Sequence, residues 1–116
     1  MALAHHSDHK IRYQQQYQNA KNYLIPFILN TMVLDESTKV LDIGCGDGGV
    51  MGALLERGCS SIGIELDNHK FQSSTEHFAK HLATGLATLI LVMEKASFWK
   101  VSALFRRLRE GGSGPY

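Results

Sequence analysis

Apolar residues along this chain fall into two rhythms. From about Asp8 to Leu34 they recur at helical spacing, with Leu24, Phe27, Ile28 and Met32 in register. Ser7 or Asp8 is placed to cap this segment, and few residues through Ala20 are poor helix formers. Pro26 biases Ile25 away from helical geometry, so the pattern predicts two helices or one kinked helix, the second starting near Pro26. Asp35 to Thr38 reads as a connecting loop. Beyond it the rhythm changes to short apolar runs bounded by turns. Lys39 to Ile43 is a predicted strand entering a glycine loop, and Val50 to Arg57 a short helix stopped by Gly58 at a C′ position. Ser61 to Glu65 is the next strand, followed by Asp67 as a helix cap. A helix from about Asn68 to Thr84 places Phe71, Thr75, Phe78 and Leu82 on one face and ends at Gly85. Ala87 to Val92 forms a third strand, apolar enough to be buried on both faces. Strands alternating with helices in this way imply right-handed βαβ units and a parallel sheet. A last helix from Ser97 to Glu110 lines up Phe98, Val101, Phe105 and Leu108, with Arg106, Arg107 and Arg109 near the end where the helix dipole favours cations. The final GGSGPY reads as a flexible tail.

Composition narrows this picture. At 116 residues there is room for one domain, and 44% hydrophobic content excludes intrinsic disorder. The net charge of +1 offers no overall field for nucleic acid or anionic lipid, and nucleic acid is disfavoured as a partner. Its distribution is uneven: residues 1–94 carry 7 basic and 10 acidic side chains, residues 95–116 carry 5 basic and 1 acidic. Cys45 and Cys59 are too few for a disulfide scaffold, which points to free thiols in a reducing interior. The longest apolar stretch, Leu86 to Met93, is far shorter than the roughly 18–20 residues of a membrane span, and no signal or transit segment is recognised at the start. The expected location is cytoplasmic.

Candidate chemistry concentrates in Val40-Leu41-Asp42-Ile43-Gly44-Cys45-Gly46-Asp47-Gly48-Gly49, because five of the 11 glycines fall between Gly44 and Gly52. A strand that stops in such a loop and opens a helix presents backbone N–H groups to a ligand. Gly44, Gly46 and Gly49 satisfy G-x-G-x-x-G, and Glu65 follows 21 residues after Gly44, so a dinucleotide site of an NAD-type oxidoreductase is formally matched. Asp42, at the loop's mouth, argues against it. A carboxylate there faces a pyrophosphate at close range and repels it, whereas a ligand carrying an ammonium is attracted.

With those residues placed, the sequence resembles the class I S-adenosylmethionine-dependent methyltransferases. VLDIGCGDGG is similar to their first motif and IGIELD to their second, and the stretch from Tyr13 through Phe27 is similar to the leading helices of small bacterial members. The resemblance implies an α/β, Rossmann-like parallel sheet with flanking helices, of which this chain supplies about three of seven strands. The resemblance covers roughly residues 9–94, with leading helices at 8–34 and a cofactor-binding βαβαβ unit at 39–94; the basic amphipathic helix at 97–110 and the tail at 111–116 are read from the apolar pattern and composition and do not continue it. The resemblance implies S-adenosyl-L-methionine as cofactor, with Asp42 on the methionine ammonium and Gly44, Cys45, Gly46 and Asp47 bordering it. Glu65 would chelate the ribose hydroxyls, Leu66 pack on the adenine and Glu94 approximate the residue that reaches the adenine amino group. The activity implied is transfer of the sulfonium methyl to an unidentified acceptor. Acceptor and base residues normally follow the fourth strand in this family, so catalytic residues stay unassigned. A chain of three strands leaves an open sheet edge, and the alternative is a truncated, non-catalytic remnant or accessory chain that self-associates or recruits a partner there.

Other residues attract plainer readings. Cys45 lacks a partner base and reads as a small packing residue. His77 and His81 have the i, i+4 spacing of metal ligands but no accompanying Glu or Cys pattern, and are read as solvated; no metal is expected. His5, His6 and His9 read as a polar, disordered start. Tyr13 and Tyr17 are expected to pack rather than to close as a lid, and the cluster from Lys95 to Arg109 to be a solvated helix face.

Overall fold

The computed structural model describes residues 2–92 together with Ala103, Arg106 and Arg107. Helix α1 (Ala2–Asn19) runs through a π-helical turn (Ala20–Leu24) into α2 (Ile25–Leu29). The helix is already under way before Ser7 and Asp8, so neither caps it; both residue types cost a helix interior only a fraction of a kcal/mol, about 0.5. Ile25 also departs from expectation and stays helical, at φ −63° and ψ −47°. Pro26 lacks an N–H and its ring crowds the carbonyl four residues back. The π turn just before it relieves that crowding: the Ile25 N–H reaches the Ala20 carbonyl, five residues back, in a wider coil.

The three expected strands are present as β1 (Lys39–Ile43), β2 (Ser60–Glu65) and β3 (Ala87–Leu91). They are parallel and ordered β1-β2-β3, with Asp42 opposite Gly63 and Glu65 opposite Leu91. Helix α3 (Gly49–Glu56) connects the first pair. The second crossover, expected as one helix, is two: α4 (Asn68–His77) and α5 (Ala79–Thr84) meet at Phe78, with φ −100° and ψ 22°. Phe78 is 1% exposed, packed with Cys45, Met51 and Ala87. Burying a ring is worth about 2 kcal/mol or more, which outweighs the one or two helical bonds lost at the break. Asp67 caps α4 as expected, accepting from the N–H groups of His69 and Lys70 at 2.9 and 3.1 Å, and those bonds hold its carboxyl below the usual range. Gly58 and Gly85, at φ +89° and +78°, end their helices as read from the sequence.

Helices α3, α4 and α5 pack on the sheet, and α1 lies across α3. Two apolar clusters result. Ala20, Ile25, Leu34, Ala53, Leu54 and Cys59 form one beneath the leading helices; Cys45, Met51, Phe78 and Ala87 form the other under the glycine loop. Strand β3 is less buried than its composition suggested: Ala87 is buried, but Thr88 is exposed and the rest are half-buried. Its place at the edge of the described sheet accounts for this, because β2 covers one of its sides and nothing further pairs the other among the described residues. Of the helix expected at 97–110, Ala103, Arg106 and Arg107 are described and are helical; its other residues, Glu94 and the tail lie outside the described residues. Among the described residues no helix is long and apolar enough to cross a membrane.

Candidate functional site

Strand β1 delivers its carboxyl end, Asp42 and Ile43, to a loop that returns into α3 at Gly49. Gly44, Gly46 and Gly48 adopt φ of +76°, +60° and +94°, which only glycine takes without strain. The sequence suggested an N–H cradle open to a ligand, and the structure corrects this. The Gly44 and Cys45 N–H groups both donate to the Ile64 carbonyl, at 2.7 and 2.9 Å, tying the loop to β2. Gly46 N–H donates to Glu65 Oε1 at 2.7 Å, Gly48 N–H to the Cys45 carbonyl at 3.0 Å, and Gly49 N–H to Gln16 Oε1 at 3.1 Å. A pyrophosphate would have to displace these bonds.

What the loop does leave open is acidic. Asp42 Oδ2 is buried and has no hydrogen-bond partner. Burial, and then the charge of Glu65, push the Asp42 carboxyl above its ordinary pKa. Glu65 is 9% exposed and accepts three backbone N–H groups: Gly46 on Oε1, and Leu66 and Asp67 on Oε2 at 2.9 and 2.8 Å. A carboxylate offers about four acceptor positions, so Glu65 keeps roughly one for a hydroxyl, and taking two would cost a loop bond. Leu66 is 60% exposed beside it, and a side chain added at Gly44 would meet nothing within 4 Å. Asp42, Gly44, Glu65 and Leu66 thus sit together at the carboxyl ends of β1 and β2, the usual ligand position of an open parallel sheet.

The other end of the loop is closed. Asp47, which the sequence grouped with the cofactor border, is turned to α1. Its side chain is fully buried, accepting from Arg12 Nε at 2.9 Å and from His9 Nδ1–H. Arg12 Nη2 lies 2.9 Å from the same His9 nitrogen, so the three side chains form one cluster. His9 is therefore buried and engaged, not part of a disordered start. A Cβ at Gly49 would stand 2.4 Å from the Tyr13 carbonyl oxygen and 2.6 Å from the Tyr17 nitrogen, so the third glycine of the motif serves helix contact. Ser74 Oγ closes the same end, donating to the Gly46 carbonyl at 2.7 Å. The sequence reading missed His9, Arg12, Gln16 and Ser74. A polar stripe at i, i+3 and i+7 along α1, flanked by Tyr13 and Tyr17, was the available signal for the first three.

Cys45 lies in the core, and burial followed by the charges of Asp42 and Glu65 pushes its thiol up to about 12. This is a packing residue and not a nucleophile. Tyr13 packs its ring 4.1 Å from that of His77, and Tyr17 donates its hydroxyl to Glu56, so both tyrosines serve packing. His77 is exposed, as expected, with one face on Tyr13; partial burial, then the charge of His81, lower its pKa. A cleft of about 330 Å³ between α1 and α4, lined by His9, Tyr13, Asp47, Glu76 and His77 among others, lies on this closed side, away from Asp42 and Gly44.

Known proteins share the sequence pattern and the fold of this chain. The family model of the methionine biosynthesis protein MetW matches residues 26–88, more than half of the chain. A probable ribosomal RNA small subunit methyltransferase A of Methanospirillum hungatei is 42% identical over 59 residues, which are 50% of this chain and 23% of that protein. A TehB-like SAM-dependent methyltransferase from Corynebacterium glutamicum superposes with a TM-score of 0.51 at 22% identity, over 77% of this chain and 45% of that one. An RNA methyltransferase from Salinibacter ruber, solved with S-adenosyl-L-homocysteine, gives 0.50 at 20% identity, over 62% of this chain and 48% of that one. At these identities the structural likeness is one of fold, and the chain spans less than half the length of each of these three proteins. The chain belongs to the family of the methionine biosynthesis protein MetW, with a partial Rossmann-like fold of the class I S-adenosylmethionine-dependent methyltransferases.

Proposed function

We propose that the chain binds S-adenosylmethionine at the Asp42, Gly44 and Glu65 crevice and serves transfer of its methyl group to an acceptor nucleophile. The observation that carries the reading is the buried, unpartnered Asp42 Oδ2 beside a second carboxylate. An ammonium there supplies the missing hydrogen-bond donor and offsets the repulsion between the two acids. Gly44 leaves room for a ligand to approach the backbone, Glu65 has acceptor capacity for a ribose hydroxyl, and exposed Leu66 offers apolar cover for a purine. Glu94, outside the described residues, is proposed for the adenine amino group by resemblance. The cofactor supplies an already activated methyl on a sulfonium. The chain's own contribution is to hold and orient it and to keep water out, which is where most of such a rate enhancement arises. NAD fits less well, because the loop N–H groups that would hold a pyrophosphate are engaged and two carboxylates face the position.

Titration calorimetry of the chain with S-adenosylhomocysteine and with NAD tests this. Heat with the first and none with the second is expected; heat with NAD alone overturns the reading. A ligand at about 100 times its Kd stabilises a fold by about 2.7 kcal/mol, so S-adenosylhomocysteine at that level is expected to raise Tm by roughly 10 °C. No shift at millimolar ligand would favour a non-catalytic accessory chain.

A further inference from the structure

The family match begins at residue 26, yet the cofactor loop is held from outside by α1, which ends at Asn19. His9, Arg12 and Gln16 lie on one stripe of that helix and each meets the loop. His9 and Arg12 hold Asp47, and Gln16 Oε1 accepts the Gly49 N–H. Gln16 Nε2 also stands 3.3 Å from the position of a Cβ on Gly46. A loop with this many glycines has more conformational freedom to lose than any other composition, so its shape depends on external restraints. Glu65 at the end of β2 and Ser74 on α4 also restrain Gly46. Release of Asp47 and Gly49 would leave the segment after Gly46 held by the Gly48 N–H on the Cys45 carbonyl and by its junction with α3. A buried charged cluster is a poor device for stability alone, since apolar side chains of similar size often serve as well. It does prescribe one orientation of Asp47.

We propose that His9, Arg12 and Gln16 are positioning residues of the cofactor loop: α1 sets the backbone shape in which Gly44 to Gly46 border the ligand, and affinity for the ligand depends on it. This rests on the reading of the crevice as an S-adenosylmethionine site. The test uses the full chain, titrated calorimetrically with S-adenosylhomocysteine, with amide hydrogen exchange followed in parallel. Arg12→Ala and Gln16→Ala are each expected to weaken binding about tenfold, or about 1.4 kcal/mol. Exchange at the Gly46 and Gly49 amides should quicken while Ile64 and Leu89 in the sheet stay protected. Arg12→Lys, which keeps a donor for Asp47, should return affinity to within about threefold of wild type, a rescue that general loss of stability does not produce. Gln18→Ala, on the exposed side of the same helix, should match wild type. If Arg12→Ala fails to fold, Gln16→Ala and Arg12→Lys carry the test. Wild-type binding with unchanged affinity in the α1 variants overturns this proposal alone. Absence of binding by the wild type overturns the proposed function and takes this one with it.

Discussion

Asp42, near the end of β1, and Asp47, in the loop that follows, stand five residues apart and end in opposite surroundings. Asp47 is buried with every nearby group arranged around it: Arg12 and His9 on its oxygens, Gly49 pressed against α1, Ser74 on the neighbouring carbonyl. Asp42 is half-buried, with one oxygen out of water and unsatisfied, a like charge close by and open space at Gly44. The closed end completes its own hydrogen bonds, and the open end leaves a carboxylate oxygen without one. An unpartnered buried carboxylate costs the fold about 1–3 kcal/mol and is tolerated where a ligand completes it. The glycines divide the same way. Gly44 leaves an approach to the backbone, while Gly48 and Gly49 admit the Phe78 ring and the α1 backbone.

The largest effect is expected at Gly49. Gly49→Ala puts a methyl into the α1 backbone and is expected to cost about 3 kcal/mol, lowering Tm by roughly 12 °C or more in thermal denaturation. Gly44→Ala meets no atom and should cost only the left-handed strain, about 1–2 kcal/mol. Equal losses at the two positions would erase the distinction between the ends.

Next in size is Asp47→Ala. It removes the acceptor shared by His9, which is buried, and Arg12, which partly reaches water, so a loss of about 2 kcal/mol in urea unfolding is expected. Asp42→Asn is expected to act with opposite signs on two measurements. Removing the buried charge should raise Tm of the unliganded chain by about 3 °C, while S-adenosylhomocysteine binding weakens by about 10- to 100-fold for want of a charged acceptor.

The pH dependence follows from the same residue. Its carboxyl titrates above the unfolded value, so ionising it costs the native state. The unliganded chain should lose stability as pH rises from the ordinary carboxylate range through the raised one. Ligand affinity should rise across the same interval, because the ammonium favours the ionised form, and Asp42→Asn should flatten both profiles. The smallest effect concerns Cys45, whose thiol is pushed up to about 12. In the native chain at pH 8 it should be alkylated by iodoacetamide no faster than the fold opens, as read by peptide mass spectrometry.

Much of the architecture was legible from local chemistry. The period-changing apolar runs, Asp67 as a cap, Gly58 and Gly85 as stops and the glycine loop are all properties of adjacent residues, and the three strands and α3 appear within about a residue of their expected bounds. The pairing of Asp42 with Glu65 also followed from their places at two strand ends, since parallel register brings such ends together. The break at Phe78 was not legible, because helix propensity there favours continuity and only the space beneath Gly48 rewards turning the ring inward.

By itself, the sequence determined that a glycine loop and two acids would meet at one edge of a parallel sheet, since spacing and strand periodicity suffice for that. Tertiary structure alone decided which acid is free. His9 and Asp47 are 38 residues apart, and nothing local shows that Asp47 turns away from the crevice until α1 crosses α3 and brings His9 and Arg12 against it. It also decided that the loop N–H groups turn inward to Ile64, Glu65 and Gln16, because hydrogen bonds between distant segments exist only once the layers have packed.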